Sequence, residues 1–82
     1  VPPLRERKED IPLFAHHFLQ VSNHELNREV TGFEEEVLHI FGRYPWPGNL
    51  REFKNVVRRA VLLSLGPLVT SQALPPEILQ PQ

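Results

Sequence analysis

The sequence predicts an all-α fold, a small bundle of three main helices followed by short helical turns at the C-terminal end. Three observations predict it: apolar residues recur at three- and four-residue steps in three separate stretches, prolines and glycines fall between those stretches, and no run alternates as a strand would. Eighty-two residues with 40% hydrophobic and 23% charged content suit one domain with a single modest core.

Val1 to Asp10 holds two prolines and, in PLRERKED, six charges, so it cannot present a buried face. It is expected to be an extended connector over residues 1–10, entering a helical domain over 11–79, with 80–82 as a tail. The first helix is expected from Ile11 to about Asn27, with Asp10 as N-cap, Pro12 tolerated in a first turn that needs no amide donor, and Ile11, Phe14, Ala15, Phe18, Leu19, Ser22 and Leu26 as its stripe.

A second, shorter helix is expected from about Phe33 to Arg43, striped by Phe33, Val37, Leu38, Ile40 and Phe41. Glu34, Glu35 and Glu36 open it where the helix dipole favours anions. Thr31 with Glu34 has capping-box spacing, and Glu34 could equally be the boundary.

Tyr44-Pro45-Trp46-Pro47-Gly48 cannot be helical, because each proline lacks an N–H and restricts the residue before it. Asn49 is expected to cap the third helix, with Glu52 reaching back in a reciprocal box. Leu50, Phe53, Val57, Ala60 and Val61 form its inner stripe, and Gly66-Pro67 ends it. Thr70 to Leu74 and Pro75 to Leu79 offer single helical turns. Trp46 is expected to pack over the core with its indole N–H on a carbonyl.

The totals exclude several classes. Nine basic against ten acidic residues give a net charge of −1, which offers no electrostatic footprint for unaided nucleic-acid or membrane binding. No cysteine is present, so disulfide and thiolate-metal sites are out and a reducing, cytoplasmic setting is expected. The longest uncharged apolar run, Ala60 to Leu65, falls far short of the ~20 residues that a membrane span needs. A chain that starts Val1-Pro2-Pro3 without Met, and without a basic-then-apolar leader, is expected to be a piece of a longer protein.

Candidate chemistry is sparse. His16 and His17 stand about 100° apart on a helix and His24 and His39 are isolated, so no metal site is expected. Ser22, Ser64 and Ser71 belong to helical or capping contexts, which leaves no nucleophile arrangement. Lys54, Arg58 and Arg59 form a basic strip on the third helix; without a lysine cluster for backbone contacts it suits a solvated face or subunit contact better than DNA.

Arg51 is the anomaly, a cation in a first turn where the dipole disfavours one. A carboxylate partner or water would account for it. So would an anion held jointly by free amides and the planar guanidinium fork, phosphate above all.

Two long motifs bear on that choice. PPLRERKEDIPLFAHHFL, residues 2–19, and YPWPGNLREFKNVVRRAVLL, residues 44–63, resemble the end of the AAA+ ATPase domain of sigma-54-dependent transcriptional activators of the NtrC type, and the likeness runs loosely through Leu74-Pro75. The resemblance implies a helical lid that follows an α/β nucleotide-binding core, in a bacterial protein that forms a ring, hexamer or heptamer, and hydrolyses ATP with Mg to drive open-complex formation by sigma-54 RNA polymerase on enhancer DNA. It implies that Arg51 is the sensor II residue on the ATP phosphates, that Leu4, Arg5 and Ile11 border the nucleotide pocket, and that Trp46, Pro47, Gly48, Asn49 and Glu52 shape the turn. Asn55 and Arg59 match positions of lid structure. Arg58 departs from the usual glutamate or glutamine and Phe53 from leucine.

The phosphate-cradling Gly-Lys loop, the acidic magnesium motif, the GAFTGA loop and the arginine fingers would precede Val1, and a Fis-like helix-turn-helix would follow Gln82. The 82-residue chain alone is therefore expected neither to hydrolyse ATP nor to bind ATP tightly or promoter DNA. The expected partners are the AAA+ core of the same chain and neighbouring subunits. The rival readings are the lid of another AAA+ machine, such as a protease-associated unfoldase, and a stand-alone helical module that binds DNA or protein.

Overall fold

The computed structural model describes residues 8–46 and 49–79; the expectations for Leu4, Arg5, Pro47, Gly48 and the 80–82 tail lie outside them. A single 3-10 turn, Lys8–Asp10, leads directly into α1, Ile11–Leu26. Then come β1 (Gly32–Phe33), α2 (Glu35–Arg43), α3 (Asn49–Leu63), β2 (Leu68–Val69), a 3-10 turn at Ser71–Ala73 and α4 (Pro76–Leu79). The three main helices and the two short C-terminal turns follow the apolar periodicity.

Helix ends differ from the expectation where backbone chemistry decides them. Asp10 precedes α1 with helical dihedrals and makes no side-chain cap bond. α1 stops at Leu26 because Asn27 turns left-handed (φ 55°, ψ 49°) and returns its N–H to the Asn23 carbonyl. α2 begins at Glu35, two residues late, with extended Glu34 as its N-cap. α3 already includes Asn49, one residue earlier than expected.

The capping box between Thr31 and Glu34 is not formed, and the reason is a feature that the periodicity did not predict. β1 and β2 pair in parallel, Gly32 opposite Leu68 and Phe33 opposite Val69. Thr31 joins this ladder: its N–H and its hydroxyl both donate to the Pro67 carbonyl, at 2.7 and 2.9 Å. The Glu34 N–H continues it to Val69, at 3.0 Å. Parallel strands need a long crossover, and here α2 and α3 supply it.

α1 packs chiefly on α3, and their stripes meet over a core that includes Ile11, Leu19, Phe53, Val57, Ala60 and Val61. Aromatic rings fill its centre in edge-to-face pairs: Trp46 with Phe53 at 4.7 Å between ring centres, Phe41 with Phe53 at 5.2 Å, and Tyr44 with Trp46 at 4.9 Å. α4 is sewn on by Ile78, which is buried in this core, and by the Arg43 guanidinium, which donates to the Leu79 carbonyl at 3.4 Å.

Candidate functional site

Trp46 stands between α2 and α3. Its backbone is left-handed (φ 54°), a conformation that a bulky residue adopts only at a cost of about 1–3 kcal/mol. The side chain offsets that cost, since it is 1% exposed and its indole N–H donates to the Phe41 carbonyl at 2.8 Å. The indole is thus fixed against the end of α2, and the next described residues begin α3.

Six residues beyond Trp46, Glu52 is half-buried and accepts the Tyr44 hydroxyl at 3.2 Å, which ties the end of α2 to the first turn of α3. Burial first, then the carboxylates of Glu52 and Glu77, push the Tyr44 phenol above its ordinary value. The reciprocal box with Asn49 involves a side chain outside the described ones, whereas the Tyr44 partner of Glu52 was not foreseen from spacing.

Arg51 is exposed and opens onto a cleft of about 440 Å³ between α3 and the C-terminal segment. Asn55 and Arg59 line it from α3, Pro75 and Glu77 from the other side, and Glu52 and Val56 complete it. Two guanidiniums, Arg51 and Arg59, share this lining with two carboxylates, Glu52 and Glu77, so its formal charge is balanced, and the guanidiniums are the groups that can take an anion.

Other expected residues go elsewhere. Ile11 is a core residue, 1% exposed, and does not line this cleft. The basic strip on α3 is split: Arg58 approaches Glu25 of α1 at 3.9 Å, whereas Arg59, one residue on, faces the cleft. Arg59 and Asn55 belong to the cleft although their match suggested only lid structure; their signal was the four-residue step from Arg51. Among the described residues no group of three His, Asp or Glu could hold a metal, and His16 and His17 instead stack edge-on against Phe33 and Phe18.

The family model described as the AAA+ ATPase lid domain matches residues 5–82. The chain belongs to the AAA+ ATPase lid domain family. The lid is 44% identical over 81 residues to the regulatory protein AtoC of Escherichia coli K12, covering 99% of this chain and 18% of AtoC. It is 45% identical over 75 residues to the transcriptional regulatory protein ZraR of the same organism, covering 92% of this chain and 17% of ZraR.

Among solved structures, NtrX from Brucella abortus in complex with ADP matches with a TM-score of 0.87 and 33% identity, over 95% of this chain and 19% of that one. The lid therefore spans less than a fifth of the length of these relatives. The resemblance carried by the two motifs and the all-α lid fold are both borne out. No helix among the described residues is long and apolar enough to cross a membrane.

Proposed function

We propose that this lid serves a sigma-54-dependent transcriptional regulator, in which Arg51 is the sensor II residue that contacts the phosphates of ATP held, with Mg, by the AAA+ core of the same chain. The observation that carries the reading is the exposed Arg51 in the first turn of α3, at the rim of a cleft walled by a second arginine. A cation there opposes the helix dipole unless an anion joins it. The ADP complex of NtrX supports the nucleotide as that anion.

The lid then couples nucleotide state to geometry. Arg51 has more to bind when the terminal phosphate is present than after it leaves, and only such differential contact can shift a closed lid towards an open one. Leu62, Leu63, Leu65 and Leu68 remain exposed at the far end of α3 and beyond it, an apolar surface suited to the core or a neighbouring subunit of the ring. Remodelling of sigma-54 RNA polymerase and binding to enhancer DNA would belong to the regions outside this chain.

The test is Arg51→Ala in the full-length regulator. ATP turnover is expected to fall by at least about tenfold, the loss of one charge-assisted contact to phosphate, with an unchanged circular dichroism spectrum. An undiminished turnover overturns the sensor II assignment.

A further inference from the structure

The cleft along α3 holds more charge than one phosphate-contacting arginine requires. Arg51, Asn55 and Arg59 recur at four-residue steps, which on a helix spreads them over about 80° and about 12 Å of axis. All three line one opening of about 440 Å³. Arg59 has not been turned away to the α1 carboxylate that engages Arg58.

Across the opening stands Glu77, on an element that cannot readily withdraw. Its neighbour Ile78 is 1% exposed and returns its N–H to the Pro75 carbonyl at 3.1 Å, and Arg43 holds the Leu79 carbonyl. The field of Glu77 reaches Tyr44, the partner of Glu52 beside Arg51. Together with Glu52, which lines the same cleft, this carboxylate offsets the repulsion between the two guanidiniums while the cleft is empty, and it repels an anion that enters.

We propose that Arg59 is a second anion-binding cation of this cleft and that Glu77 is its built-in competitor, which weakens the hold on nucleotide phosphates. The proposal rests on the reading of the cleft as a nucleotide-phosphate site. Glu77 then acts as a release device: its carboxylate, across the same cleft, repels a bound phosphate and favours its departure from the arginines. Repulsion of this kind keeps a lid from being trapped closed on its product.

The experiment is calorimetric titration of the full-length regulator with ADP and with a non-hydrolysable ATP analogue. Glu77→Gln is expected to tighten binding of the analogue about threefold, the scale of an exposed charge pair. Arg59→Ala is expected to weaken it about tenfold, and Arg59→Lys to recover part of the loss. A tightening by Glu77→Gln cannot arise from damage to the fold.

If Arg51→Ala weakens binding while Glu77→Gln and Arg59→Ala match the parent, the inference is overturned and the sensor II reading stands. If Glu77→Gln and Arg59→Ala shift affinity and Arg51→Ala does not, the inference stands and the sensor II reading falls. Unchanged affinity in all three overturns both.

Discussion

Trp46 and Phe41 are joined by a 2.8 Å hydrogen bond from indole to carbonyl while their rings meet edge to face at 5.6 Å. The bond ties Trp46, three residues before α3, back to the last turns of α2. Trp46→Ala is expected to cost about 3–5 kcal/mol, from lost burial and the cavity left behind. A domain this small has roughly 4–12 kcal/mol in all. Trp46→Phe keeps most of the packing but orphans the Phe41 carbonyl, at about 1–3 kcal/mol. Urea unfolding of the lid checks the order; a Trp46→Phe variant as stable as the parent would show that the N–H contributes nothing.

Tyr44 gives the lid an alkaline limit. Burial, then Glu52, then Glu77, raise its phenol above the usual 10.0. The folded state therefore prefers the neutral phenol, and this contribution is complete below the unfolded value of about 10 and disappears as pH climbs through the higher folded value. Urea midpoints of the parent are expected to fall above about pH 10, and Tyr44→Phe to show a shallower fall. Parallel alkaline slopes in the two proteins would remove Tyr44 as the cause.

The helices were legible because each carries a continuous apolar stripe, and Trp46 because a lone tryptophan between prolines has few ways to satisfy both ring and N–H. The β1 and β2 pairing was not. Two residues per strand leave no alternation to detect, and Leu68 of β2 is exposed while Val69 is buried. Their partners lie 36 residues away and meet only once α2 and α3 have folded between them. Thr31 shows the consequence: locally it fits a capping box, and the ladder takes its hydroxyl instead. At the candidate site the motif singled out Arg51, but the cleft that joins it to Arg59 and Glu77 is made by α4, which one turn of sequence cannot orient.

Asn27 ends α1 with φ 55° and ψ 49°, a conformation that asparagine tolerates and glycine adopts freely. Asn27→Gly is expected to be neutral or to stabilise slightly. Asn27→Val is expected to lose about 1–2 kcal/mol, because a β-branched side chain meets its own carbonyl there. Thermal unfolding of the pair reads the difference, and equal melting temperatures would mean that the cap is not held left-handed in solution.

Asn23 acts as a substitute strand for Val30. Its amide nitrogen donates to the Val30 carbonyl at 2.7 Å and its oxygen accepts the Val30 N–H at 3.1 Å, so one side chain satisfies both backbone groups of a residue that is itself buried. The same asparagine accepts the Arg28 N–H on its own carbonyl at 2.9 Å. Asn23→Ala leaves two partly buried backbone groups without these partners and is expected to cost ~2 kcal/mol. Asn23→Asp keeps the acceptor but sets a carboxylate against the Val30 carbonyl. Its penalty is therefore expected to shrink as pH falls towards the ordinary carboxylate value of about 4 and to be smallest below it, where the protonated acid can donate in place of the amide. Urea midpoints measured at neutral and acid pH for both variants, each compared with the parent, test this; an Asn23→Asp penalty that does not change with pH would mean that the donor to Val30 is dispensable.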